Sequence, residues 1–245
     1  MLFALAFSAV AAANASASGA TLFTCVKSAS GDLFGPHCLK ENNGNSEKYA
    51  HQTFAADTTG TLNNANTASG TTAAQSAIWR TTLAGVNVEI TCATVEGEGL
   101  FANKEEGGEM FGHAEVTLSF TACVVKAPAG KGCKVKGEAI TTETITGKTL
   151  GSGEKFRLTP KNAENRFFTF TLEGCSIAAL NNSFPVTGSF EVNMNAATLF
   201  STHTEVTTQA TLKIGGQKGG FEGALTPKTH LNGTEVTKPL SVTGT

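Results

Sequence analysis

Asn165-Arg-Phe-Phe-Thr-Phe-Thr-Leu-Glu-Gly-Cys175-Ser-Ile-Ala-Ala-Leu-Asn-Asn-Ser-Phe-Pro185-Val-Thr-Gly-Ser-Phe-Glu-Val192 reads as strand, cysteine, turn, strand. Phe168, Phe170 and Leu172 alternate with Thr169, Thr171 and Glu173. That period of two puts one face on a core and the other in water. Asn181-Asn182 interrupts the run, and Val186, Phe190 and Val192 resume it. A weaker copy lies upstream, Leu118-Ser-Phe-Thr-Ala-Cys123, then a loop, then Lys134 to Ile140.

The same pattern recurs along most of the chain. Ala77 to Leu83 and Val86 to Cys92 meet across Ala84-Gly85, which predicts a tight hairpin. Ala93 to Phe101 and Gly112 to Phe120 follow, on either side of an acidic loop. Val135 to Thr144, Lys155 to Leu158, Phe167 to Leu172, Val186 to Met194, Thr204 to Ile214 and Val236 to Val242 continue the series. Gly215 to Gly220 reads as a flexible turn, and Cys175 to Leu180 has room for one helical turn. No long segment shows a 3.6 period, so the fold class expected is all-β, an antiparallel sandwich or barrel-like domain. Cys92, Cys123 and Cys175 each follow a strand, but at spacings too unequal for the constant rung of a β-solenoid.

Before this domain the composition changes twice. Leu2 to Ala13 is apolar and is followed by Ala15-Ser-Ala17, the h-region and cleavage pattern of a signal peptide, although no Lys or Arg precedes the run. The expected division is a signal peptide (1–17), a small disulfide-closed N-terminal module (18–54), a polar linker or loop (55–75) and the main β domain (76–245). In the module, Thr21 to Lys27 is a strand with Tyr49 to Phe54 as partner. The mature chain is expected to begin near Ser18 and to work outside the cell or at its envelope.

Six cysteines, Cys25, Cys38, Cys92, Cys123, Cys133 and Cys175, fit export as structural disulfides. Cys25 and Cys38 flank a turn-rich loop, and Cys123 and Cys133 flank Ala127 to Gly132, which reads as a hairpin tip. That pairs Cys92 with Cys175, tying the start of the domain to its centre. The arrangement Cys92–Cys123 with Cys133–Cys175 stays open.

These residues also carry a resemblance. Val88-Glu-Ile-Thr-Cys92, Phe120-Thr-Ala-Cys123, Gly130-Lys-Gly-Cys133, Phe170-Thr-Leu-Glu-Gly-Cys-Ser176, Val186-Thr-Gly-Ser189 and Gly215-Gly-Gln-Lys218 resemble secreted, Thr/Gly-rich β proteins of actinobacteria. The resemblance implies export and a β fold, and it brings no functional residue with it.

Chemistry is sparse. A net charge of -2 gives no pull towards nucleic acid. His37, His51, His113, His203 and His230 are scattered without metal-ligand spacing, and Asp occurs only at Asp32 and Asp57. Serine-hydrolase and nucleotide-binding motifs do not occur, so no catalytic, cofactor or metal residue is expected. A His113 bonded to a carboxylate and facing an exposed Ser or Thr would contradict that expectation.

Three weaker patterns remain. Glu105, Glu106 and Glu109 in a glycine loop suggest a cation site or half of a glycosidase carboxylate pair, against the plainer reading of a solvated tip. Lys126, Lys131, Lys134 and Lys136 suggest contact with an anionic wall polymer, against lysines that keep a sheet edge soluble. Thr142-Glu-Thr-Ile-Thr146 and Thr169-Phe-Thr171 have the spacing of ordered-water surfaces, but also of ordinary strands. The function expected is a non-catalytic secreted or envelope-associated structural or interaction protein. The alternatives are a carbohydrate- or wall-polymer-binding module, which would ordinarily stack sugar on Trp or Tyr where Trp79 and Tyr49 occur once each, and a hydrolase with a dispersed site. Partners in view are a wall polymer, a polysaccharide or another envelope protein.

Overall fold

A computed structural model describes residues 21–27, 49–53, 58–64, 77–150, 155–195, 198–203, 211–231, 234–236 and 240–243. The signal peptide 1–17 and Cys38 lie outside them, and of Cys25 only the backbone is described, so the Cys25–Cys38 pairing is not addressed. The first strands are β1 (Thr21–Lys27), β2 (Tyr49–Thr53), β3 (Thr58–Asn64), β4 (Ala77–Leu83), β5 (Val86–Glu106) and β6 (Glu109–Ala127). Next come β7 (Lys134–Val135), β8 (Ala139–Thr141), β9 (Ile145–Leu150), β10 (Lys155–Pro160), β11 (Arg166–Glu173) and β12 (Ser183–Thr187). The last are β13 (Phe190–Asn195), β14 (Thr198–His203), β15 (Lys213–Ile214), β16 (Gln217–Leu231), β17 (Thr234–Val236) and β18 (Leu240–Thr243). Two short 3₁₀ turns, Lys136–Glu138 and Ala178–Leu180, are the helical elements among the described residues.

The fold is all-β, and every described pairing is antiparallel. The main sheet runs β14-β13-β10-β9-β6-β5-β3-β16, and β14 also pairs with β16, so the sheet curls back upon itself. β4 occupies the same gap as β3, between β5 and β16. From β16 the pairing continues through β15, β12 and β11 to β7, forming a second wall.

The β5–β6 hairpin dominates. It is one ribbon rather than the separate strands 86–92 and 93–101 expected, and it turns at Gly107-Gly108. Those residues have φ of 64° and 86°, which glycine adopts without steric cost. The sequence suggested a break because the buried face changes phase: Val88, Ile90 and Cys92 point inwards, then Val95 and Phe101. β6 shifts opposite it, from Phe120 to Cys123, with Ala122 at φ 51°. Both strands slip together, so the pairing survives.

Several other boundaries differ from expectation. Val186 to Met194 is two strands, because the chain leaves the second wall for the barrel at Gly188. A Cβ there would stand 2.2 Å from the Thr211 carbonyl oxygen, and φ is 94°, so only glycine fits. Only Gly215-Gly216 turns in the run to Gly220, since Gln217 already begins β16. Val135 to Thr144 breaks into β7, a 3₁₀ turn and β8, and β9 was not foreseen. Of Thr204 to Ile214, residues 204–210 lie outside the described ones.

Residues 58–64, within the stretch expected to be a linker, pair as β3 between β5 and β16. β1 pairs with β2 as expected, but also with β18 from the C-terminal end. It docks on the barrel, where the Leu22 amide donates to Asn103 Oδ1 (2.7 Å) and Asn103 Nδ2 donates to the Leu22 carbonyl (2.9 Å). β1 thus pairs with both β2 and β18 and is hydrogen-bonded to β5 through Asn103.

The cysteine pairing differs too. The bridges are Cys92–Cys123 and Cys133–Cys175, not Cys92–Cys175 and Cys123–Cys133. Cys92 and Cys123 are direct cross-strand partners in the β5–β6 ribbon. The segment after β6 is not a hairpin tip: it crosses to β11, where Lys134 and Val135 pair with Glu173 and Leu172.

The core joins the two walls. Trp79 lies between Phe120, Phe168 and Phe221, at ring-centroid distances of 5.5, 5.0 and 4.3 Å. Phe190 stands 6.4 Å away, and a second cluster joins Phe167 to Phe190 and Phe170 to Phe184. Tilted and edge-on aromatic pairs of this kind add about 0.5–1.5 kcal/mol each beyond their buried area.

Candidate functional site

Two features of the barrel gather side chains in ways that bear on function: a charged cluster outside and an apolar cavity inside. Both follow from strand alternation. On β6, His113 and Glu115 face out while Ala114 and Val116 face in.

Glu115 is the centre of the outer cluster. Lys161 Nζ donates to it at 2.6 Å, His113 Nε2 lies 3.1 Å from Oε1, and Lys104 Nζ is 3.6 Å away. The hydrogen bonds of Lys161 and His113 lower its pKa from the ordinary value to about 2, against the opposing effect of partial burial. One strand over, Lys148 lies 4.0 Å above the Phe111 ring and donates to Glu106 at 2.5 Å. That hydrogen bond holds the Glu106 carboxyl below its usual value. Arg80 likewise bridges Glu89 (2.8 Å) and Glu222 (2.5 Å), tying β4 to β5 and β16. Each is a cross-strand pair on an outer face, of the kind that sets register and solubility.

His113 thus has its carboxylate, but the other groups gathered on Glu115 are the ammonium ions of Lys104 and Lys161. An ammonium ion is no nucleophile for a histidine base to activate. Glu105 and Glu106 are consecutive on a strand and so point to opposite faces of the ribbon, with Glu109 opposite Glu106 across the turn. Glu106 and Glu109 share one face at the exposed tip, and there Glu106 accepts from Lys148. Lys126, Lys131, Lys134 and Lys136 are exposed around the Cys133–Cys175 bridge, and none is in an ion pair among the described residues. Thr142 is not part of a hydroxyl rank: it is buried, and its Oγ1 accepts from the Leu118 amide at 2.8 Å. Thr146 bonds Thr159 and Thr171 bonds Ser183 across neighbouring strands.

The cavity lies inside the curl. Phe101, Ala114, Val116, Leu118, Phe156, Leu158, Phe190, Val192, Phe221 and Gly223, from five strands, enclose about 40 Å³. None carries a polar side chain. Space exists because Ala114 and Gly223 interrupt a lining of large residues. Sequence reading marked these strands as inward-facing without showing that five of them converge, and it passed over Glu115 and Lys161 because they lie 46 residues apart. Among the described residues no His, Cys, Asp or Glu grouping has metal-site geometry, and no helix is long and apolar enough to cross a membrane. No family model, curated protein or solved structure matches this chain.

Proposed function

We propose that this chain is an exported, non-catalytic structural or interaction protein of the extracellular space or cell envelope. The observation that carries the reading is the pair of disulfides, Cys92–Cys123 and Cys133–Cys175, built into the core and the seam between the walls. Such bridges persist in oxidising surroundings. The apolar run Leu2 to Ala13 with Ala15-Ser-Ala17 points the same way. Intact-mass analysis of the secreted and envelope fractions is expected to give a mature N-terminus near Ser18 with cysteines oxidised. A mature chain that retains Leu2 to Ala13, or reduced cysteines, would refute the reading.

One observation favours a second reading, binding to an anionic wall polymer: the four exposed lysines 126, 131, 134 and 136 lack acidic partners among the described residues. Stacking of sugars on Trp79 has no such support, because Trp79 is buried. Retention on immobilised teichoic acid that weakens with salt and is lost on changing those lysines to Glu would select this reading.

A further inference from the structure

The two described bridges stand in unlike surroundings. Cys92 and Cys123 are 0% and 1% exposed, inside a β5–β6 ladder that runs unshifted from the turn at Gly107-Gly108. Thiol–disulfide exchange needs access to a sulfur, and the paired ribbon gives none. Cys133 is half-buried at the edge of the second wall, beyond the end of β6. Gly132 before it and Gly174 before Cys175 carry no side chains to screen the bridge. Their backbones approach so closely that a Cβ on Gly132 would stand 2.8 Å from the Gly174 carbonyl oxygen.

The two ends of that bridge are also held differently. Cys175 is 8% exposed and clamped by Asn181, whose Oδ1 accepts from the Cys175 amide and whose Nδ2 donates to its carbonyl, both at 2.8 Å. Cys133 lies in the stretch between the end of β6 at Ala127 and the buried Val135. Besides the bridge, that stretch is tied by the Ser176 amide, which donates to the Lys131 carbonyl at 2.8 Å, and by the pairing of Lys134 with Glu173.

From this asymmetry we infer that Cys133–Cys175 is a thiol–disulfide exchange site, opened by a dithiol in the folded protein, and that opening it releases residues 128–134. A thiolate of the dithiol attacks Cys133 Sγ, the Cys133–Cys175 bond breaks, and Cys175 leaves as a thiolate. The second thiolate of the reductant then displaces Cys133, so the two cysteines take up two electrons and two protons and the dithiol leaves as a disulfide. The Asn181 clamp keeps Cys175 in place for the bridge to close again. Lys131 and Lys134 belong to the surface that the wall-polymer reading uses, so exchange here loosens that surface. The inference starts from the oxidised bridges of the export reading, yet it is decided on the purified oxidised protein and can fail while both readings stand.

Timed exposure to dithiothreitol, followed by iodoacetamide and peptide mapping, tests it. Cys133 and Cys175 should be alkylated at least about tenfold sooner than Cys92 and Cys123, because local opening costs less free energy than global unfolding. Trp79 emission should keep its native value through that first phase, since the aromatic core around it stays packed. Trypsin added after the first phase should cut at Lys131 about tenfold faster than in the oxidised protein, while Lys126, within β6, stays protected. Alkylation of all four cysteines at one rate, loss of the Trp79 signal with the first alkylation, or no gain in cleavage at Lys131 would overturn the proposal.

Discussion

The second wall and the curled barrel share one antiparallel sheet, yet different interactions hold each. In the wall, β11 and β12 press Phe167, Phe168 and Phe170 into an aromatic cluster around Trp79, and Cys133–Cys175 fastens its edge. In the barrel, small residues stand among the large ones, the interior keeps an apolar space, and the outside is tied by ion pairs on Glu115, Glu106 and Glu191. Dense packing leaves a region one arrangement, whereas a ring closed by backbone pairing can tolerate an imperfectly filled middle. Stability is therefore expected to concentrate in the wall.

The same truncation in each region gives the largest test. Phe168→Ala removes a ring packed against Trp79, Phe120 and Phe170, and should cost about 4–5 kcal/mol in urea unfolding. Phe156→Ala removes a ring that already borders empty space, has fewer contacts to lose, and should cost nearer about 3 kcal/mol. Equal losses would erase the distinction.

The bridges sharpen it next. They span sequence separations of 31 and 42 residues, and the chain-entropy model gives roughly 3.5–4 kcal/mol for each. Their local effects should differ. Cys92 and Cys123 sit in a ribbon paired along its whole length, so changing both to Ser should lower the melting temperature without altering which β5 and β6 amides resist exchange. Cys133 and Cys175 support β7, which has only two paired positions, so changing both should speed exchange at Val135 and Leu172 selectively. Uniform exchange changes in the two variants would contradict the assignment of distinct roles.

The smallest effect is electrostatic and confined to the barrel exterior. Glu115 has a folded pKa of about 2 against an ordinary 4.5, so its contribution is present above about pH 4.5 and is lost as pH falls towards 2. Glu115→Gln should cost about 1–2 kcal/mol at neutral pH, after allowance for solvent, and should flatten the stability profile between pH 4.5 and 2. A mutant profile parallel to the wild type would show that Glu115 is not the group responsible.

Alternation in Phe167 to Leu172, Val86 to Cys92 and Gly112 to Phe120 was enough to determine an all-β chain, because a period of two is a local property of each strand. The Ala84-Gly85 hairpin and the β1–β2 pairing were legible for the same reason, being contacts between neighbours in sequence. Residues 58–64 escaped notice because a strand built of Thr, Gly, Leu and Asn has no hydrophobic rhythm and is ordered by its neighbours β5 and β16. Which cysteines meet was decided by register: the turn at Gly107-Gly108 sets a pairing that runs unshifted to Cys92 opposite Cys123, and Cys133 is carried across to Cys175. The cavity and the Glu115 cluster belong wholly to the tertiary structure. Both depend on β6 being brought beside strands distant in sequence, and such pairing is set by closure of the sheet, not by any property of a single segment.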